Sequence, residues 1–144
     1  MRARTIWRNV CAATLLSVAG GAAAAPGGGY LYDCEITKAA QAGGWISPRI
    51  AIVVTPDSNI RVIDALTLTF EDAPVPATVL RDDPVRLVIR WTLSGARADS
   101  GRSFAYFDYR ASLSRATGHI EVTAGPRGYD TGLRGSGQCR IRSE

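Results

Sequence analysis

His119 is the only histidine of the chain, and Glu121 follows two residues later. On a strand the two side chains would share a face, where an imidazole and a carboxylate could act as an acid–base pair or as half a metal site. A zinc site wants three or four ligands, and no second histidine is available to supply them. The Ser, His and Asp of a nucleophilic triad are present by composition, but no G-x-S-x-G elbow accompanies them. The adjacent acids Glu71-Asp72 and Asp82-Asp83 sit in turn-like surroundings, and neighbours on one turn cannot straddle a substrate as a glycosidase requires. His119 and Glu121 therefore read as a solvated face beside a hairpin. No catalytic residue, metal or cofactor is expected.

Recognition chemistry is better represented. Asp108 and Arg110 stand beside Tyr106 and Phe104 on what would be the outward face of a strand, near Arg86 and Arg90. Arginine and aromatic side chains are enriched at interfaces. The plainer reading is a cross-strand ion pair between Arg90 and Asp108, which contributes little when exposed. The glycine-rich run from Gly125 to Gly137 could form anion-binding backbone nests, but it matches no phosphate-binding or dinucleotide fingerprint. It reads as a mobile loop or a twisted edge strand carrying Tyr129 and Arg134. Trp45, after two glycines, is either an exposed anchor at the mouth of the domain or a plug over its end. The candidate binding surface is thus Trp45, Tyr106, Asp108, Arg110, His119, Glu121, Tyr129 and Arg134.

The elements that would position these residues are strands. Val85, Leu87, Ile89, Trp91 and Leu93 alternate with Arg86, Arg90, Thr92 and Ser94, the period-two pattern of a half-buried strand. The same alternation places Tyr30, Tyr32, Cys34 and Ile36 on one inward face. It continues through Ile50, Ile52 and Val54, then Ile60 and Val62, then Leu66, Leu68 and Phe70. A short run at Val79 follows, then Phe107, Tyr109, Ala111 and Leu113, then Ile120 and Val122, and last Cys139 and Ile141. Pro56-Asp57-Ser58-Asn59, Asp82-Asp83-Pro84 and the polar stretch Gly95–Gly101 punctuate the runs. Arg115-Ala116-Thr117-Gly118 has the length of a hairpin connection. Pairing Leu113 with Ile120 sets Ala111 against Val122 on the core side, and Ser112 against Glu121 and Arg110 against Thr123 outside. No stretch carries a helical stripe, and Thr37–Gly44 has room for one turn of helix at most.

About eight short strands with hairpin-length connections predict an all-β antiparallel meander: a small up-and-down, lipocalin-like barrel, with a β-sandwich as the alternative. A barrel of this size holds its own side chains or one small ligand. The bulky inward set Tyr30, Tyr32, Phe70, Trp91, Phe107 and Tyr109 favours a filled interior.

Residues 1–25 carry a different signal. Arg2, Arg4 and Arg8 precede the short apolar run Val10–Val18, and Ala22–Ala25 supplies small residues before Pro26. This is the layout of a secretory signal peptide, with an apolar run too short to span a bilayer. The expected organisation is a leader over 1–25 and a single β domain over 26–144, in the periplasm or secreted. The whole chain has 17 basic and 13 acidic residues. Without the three leader arginines, 14 basic residues face 13 acidic ones. The remainder is nearly neutral and shows no polybasic run, so neither nucleic acid nor an anionic membrane surface is expected as a partner. Cys11 lies in the apolar run without the small residues of a lipobox. Cys34 and Cys139 remain, an even pair in an oxidising compartment, and predict one disulfide between the first and last strands.

Gly44-Trp45-Ile46-Ser47-Pro48, Phe107-Asp108-Tyr109-Arg110-Ala111 and the pairing of Tyr32-x-Cys34 with the late Gly135-Ser136-Gly137-Gln138-Cys139 resemble elements of an uncharacterised family of small exported bacterial proteins. That resemblance implies export and a disulfide, and nothing about chemistry. The functional expectation is a monomeric, non-enzymatic binding module that engages a protein or envelope component through loops and an outer strand face. The alternatives are a lipocalin-like carrier of a small apolar ligand and, behind it, a small hydrolase using His119 and a nearby acid.

Overall fold

A computed structural model describes residues 28–129 and 132–143. The expected leader and Cys11 lie outside the described residues. Nine strands and one short helix follow in chain order: β1 (Tyr30–Lys38), β2 (Arg49–Val54), β3 (Ile60–Asp64), α1 (Ala65–Phe70), β4 (Val75–Pro76), β5 (Thr78–Asp82), β6 (Arg86–Arg97), β7 (Ser103–Ser114), β8 (His119–Pro126) and β9 (Leu133–Ser143). All nine form one antiparallel, nearly closed barrel-like sheet in the order β4-β3-β2-β1-β9-β8-β7-β6-β5. The barrel form of the expected meander is therefore the one adopted.

Every strand pairs with its neighbours in sequence except β4 and β5, and β1 pairs with β9. The chain ends thus meet inside the sheet, and the seam falls in mid-chain, where Ala77 alone separates β4 from β5. Proline chemistry accounts for the seam. The Ala77 N–H still donates to Ile60 of β3, whereas Pro76 has no N–H to offer a further strand on the seam side. On the other side of the seam every residue of β5 is exposed, including Arg81 and Asp82, charges that discourage edge-to-edge pairing.

Cys34 and Cys139 are register partners on β1 and β9, with Cα atoms 3.9 Å apart and an S–S bond of 2.04 Å. The predicted disulfide is present and fastens the first strand to the last. The predicted β7–β8 register is present as well, from Leu113↔Ile120 through Ala111↔Val122 and Ser112↔Glu121 to Arg110↔Thr123.

The core sits inside the sheet. Ile50, Ile52, Val62, Leu87, Ile89, Leu93, Leu113, Ile120 and Val122 are almost wholly buried. An aromatic ladder crosses them: Trp45 stacks on Phe107 at 4.4 Å, Phe107 packs against Tyr109 at 5.4 Å, and Tyr109 stacks on Trp91 at 5.1 Å between ring centroids. On β9, Gly135 lies against Ile36, Ala39 and Ile46, and Gly137 against the backbone of β1. A Cβ on Gly137 would lie 1.8 Å from the Glu35 carbonyl oxygen, so β9 approaches β1 more closely than any side chain permits.

Four local expectations are corrected. Leu66, Leu68 and Phe70 are not a strand but lie on α1. Asp64 accepts a hydrogen bond from the Thr67 backbone N–H at 2.7 Å, and Thr67 Oγ1 accepts one from the Asp64 N–H at 2.8 Å. This capping box turns the chain into a helix, on which Leu66 and Phe70 face the core while Leu68 is 51% exposed. Gly125–Gly137 is not one long irregular run, because β8 extends to Pro126 and β9 begins at Leu133. The polar stretch Gly95–Gly101 shrinks to a hairpin connection, since β6 runs to Arg97 and β7 starts at Ser103. Finally, Val85 and Ile141, expected inward, are 61% and 64% exposed at strand ends.

Candidate functional site

The outer face of β6, β7 and β8 carries the most developed polar arrangement. Alternation along β7 buries Phe107 and Tyr109 and leaves Tyr106, Asp108 and Arg110 outside. Asp108 stands opposite Thr92 of β6 and Gly125 of β8. Arg127, one residue past β8, reaches the carboxylate. Its Nε and Nη2 donate to the two Asp108 oxygens at 2.8 and 2.7 Å, a bidentate fork. Thr92 Oγ1 donates to Asp108 at 2.7 Å. The Arg127 guanidinium also lies 4.5 Å from the Tyr106 ring centroid, a cation–π placement on a ring that is 48% exposed. Arg127 and, after it, Thr92 hold the Asp108 carboxyl below its ordinary range.

This pairing corrects the expected ion pair. Arg90 stands opposite Arg110, not Asp108, and influences Asp108 only through space. Phe104 also departs from expectation. Instead of lying outward beside Tyr106, it packs edge-on against Trp45 and Phe107, each at 5.8 Å.

Three open clefts surround Arg127. One, of about 310 Å³, runs between Arg90, Asp108, Arg110, Thr123 and Tyr129. A second, of about 510 Å³, opens toward Pro76 and Thr78 at the seam. A third, of about 290 Å³, lies between Tyr106 and Tyr129. Beyond Thr123 a fourth cleft of about 240 Å³ is lined by Arg134, Glu121 and Lys38.

Of the expected surface residues, Tyr106, Asp108, Arg110 and Tyr129 thus gather around Arg127. Arg134 and Glu121 flank them across Thr123. His119 stands apart at the start of β8, where its Nε2 is 3.9 Å from Glu121 Oε1 and both side chains are well exposed. Among the described residues no group of three His, Cys, Asp or Glu is placed to hold a metal ion. Trp45 belongs to the interior: it is half-buried, stacks in the ladder, and its carbonyl accepts a 2.8 Å hydrogen bond from the Tyr109 hydroxyl. Of the two readings of Trp45, the plug is the one the packing fits. Burial raises the pKa of that hydroxyl and keeps it a donor.

The paired acids have structural work. Asp83 accepts from the Val85 and Arg86 backbone N–H groups at 2.9 and 2.8 Å, Asp82 pairs with Arg115 at 2.7 Å, and Glu71 accepts from the Ser94 N–H. Arg127 is the residue that sequence reading missed. Its signal, a strand-terminating Pro126 ahead of an arginine, was hidden inside the glycine-rich run.

The fold and this face together define a small disulfide-fastened antiparallel barrel with an arginine- and tyrosine-bearing outer surface. No protein-family model, curated protein or solved structure matches the chain. The disulfide implied by the sequence resemblance therefore stands on the structure itself. Among the described residues no helix is long and apolar enough to cross a membrane.

Proposed function

We infer that this protein is an exported, non-catalytic binding module that recognises a protein or envelope component through the outer face of β6–β8 and the turn after β8. The observation that carries this reading is the Arg127–Asp108 fork, whose guanidinium lies over the Tyr106 ring. A surface arginine that grips a carboxylate with two bonds and lies over an exposed ring has already lost much of the side-chain freedom that binding would otherwise remove. Arginine and tyrosine are also the residue types that carry most binding energy where they occur at interfaces. Export is supported by the leader-like residues 1–25 and by the Cys34–Cys139 bridge, a feature of oxidising compartments. The carrier alternative has less support, since Trp45, Phe107, Tyr109 and Trp91 occupy the interior that a ligand would need.

Photo-cross-linking tests the reading. A benzophenone side chain at Tyr106 should trap a defined species that disappears when Arg127 is replaced by alanine and is not trapped from Arg61 on β3. The same products from both positions, or products indifferent to Arg127, would refute it.

A further inference from the structure

Three exposed arginines that are far apart in the chain share one lateral row. Arg90 of β6 is the register partner of Arg110 of β7, Arg110 of Thr123 of β8, and Thr123 of Arg134 of β9. Thr78 of β5 extends the row beyond Arg90. With strands ~4.8 Å apart, Arg134 lies two spacings, ~10 Å, from Arg110.

Like charges directly opposite each other on neighbouring strands destabilise a sheet. Here the opposition is not relieved: among the described residues none of the three arginines is in an ion pair. Asp108, which feels Arg90 through space, already has both oxygens engaged by Arg127. Glu121 lies one row away, opposite Ser112 and Ser136, and shares its cleft with Lys38 as well as Arg134. Cationic charge therefore exceeds anionic charge along the row, and clefts open on both sides of Thr123.

We propose that this row is a binding site for a small oligoanion bearing two or more phosphate groups. A phosphate dianion between Arg90 and Arg110 offsets both opposed charges, and each guanidinium presents a planar fork that matches its oxygens. Arg134 receives a second phosphate across Thr123, whose hydroxyl is available as a further donor. The proposal rests on the outer face being the recognition surface and names the chemistry recognised there. The phosphates belong either to a free ligand or to a lipid headgroup.

The test is calorimetric titration of the disulfide-intact protein with inositol hexakisphosphate and, separately, with inorganic phosphate. Cosedimentation with phosphatidylcholine vesicles, with and without the diphosphate lipid cardiolipin, runs beside it. Inositol hexakisphosphate should bind, more weakly as salt is raised. Arg90→Gln/Arg110→Gln should lower its affinity at least about tenfold, while Arg61→Gln/Arg102→Gln, with the same change in charge, leaves it unchanged. Arg134→Gln should weaken inositol hexakisphosphate but not inorganic phosphate. The Arg90/Arg110 variant should melt no lower than the wild type, so its loss of binding is not a loss of fold. Vesicle binding that needs both cardiolipin and the arginine pair assigns the phosphates to a headgroup; binding of the soluble probe alone assigns them to a free ligand. No binding of either probe, or binding indifferent to Arg90 and Arg110, overturns the proposal. In that event Arg127-dependent cross-linking from Tyr106 still supports the broader reading, and its loss would remove both.

Discussion

Arg127 and Asp108 form a two-bond fork on the outside of the barrel, with oxygen–nitrogen distances of 2.8 and 2.7 Å. The fork joins the turn after β8 to the middle of β7 and holds a guanidinium over Tyr106. Its electrostatics fix a pH dependence. The Asp108 pKa in the fold lies below the ordinary 3.8, principally because Arg127 donates to it. Its contribution is therefore fully present above pH 3.8 and is lost as pH falls through the lower folded value. Asp108→Asn should cost no more than ~1 kcal/mol at neutral pH, since the pair is partly solvated. The difference from wild type should vanish in acid, as thermal melts across pH 2–7 would show.

Asp64 behaves with the opposite sign. It caps α1 from a buried position, and burial raises its pKa despite the hydrogen bond from the Thr67 N–H. A carboxyl with a raised folded pKa contributes stability below its unfolded value near 3.8, and that contribution is lost as pH rises through the folded value. Asparagine caps helices as well as aspartate and carries no charge. Asp64→Asn should therefore gain on the wild type as pH rises from 4 to 7, measured by urea denaturation at each pH. A constant difference across that range would contradict the assignment.

The bridge between β1 and β9 joins residues 105 apart in sequence. Removing it with Cys34→Ser/Cys139→Ser should cost ~2–5 kcal/mol, because it restrains most of the unfolded domain. The check is the denaturation midpoint with and without reductant. The double variant and the reduced wild type should coincide, and an unchanged midpoint would show that β1–β9 pairing does not depend on the bridge.

Among the described glycines, an added Cβ would meet backbone most closely at Gly137, against the Glu35 carbonyl oxygen. Gly137→Ala should destabilise by ~3 kcal/mol or more, since neither backbone can yield without breaking the β1–β9 ladder. Gly128, whose added Cβ meets nothing within 4 Å, is the comparison position, although its φ of +86° adds a backbone cost of its own. Equilibrium denaturation should rank Gly137→Ala as the more damaging of the two.

Period-two patterning made the paired strands legible because one face of each is buried, and the β7–β8 register followed from matching apolar positions. The α1 segment was not legible, because Leu66, Leu68 and Phe70 satisfy strand alternation until the Asp64–Thr67 capping box is recognised. The arginine row was legible only in part, since the alternation sets Arg110 near Arg90 but does not join Arg134 to them. Arg90, Arg110 and Arg134 are twenty or more residues apart, so they form no charge run, and only cross-strand register brings them together. Arg127 was lost because glycines on either side made its neighbourhood look like an unstructured loop. Of the aromatic ladder, Trp91, Phe107 and Tyr109 belong to the bulky inward set that alternation marks, whereas Trp45 lies outside any strand and only the packing places it there.

Recognition is proposed on the outer arginine face and not in the barrel interior. The most direct measurement is an NMR titration with inositol hexakisphosphate that follows arginine Nε–H and tryptophan indole N–H signals together. Shifts at Arg90, Arg110 and Arg134, with Trp45 and Trp91 unmoved, are the expected result. Shifts at the two indoles with the arginines unmoved would place binding inside the barrel and contradict the account.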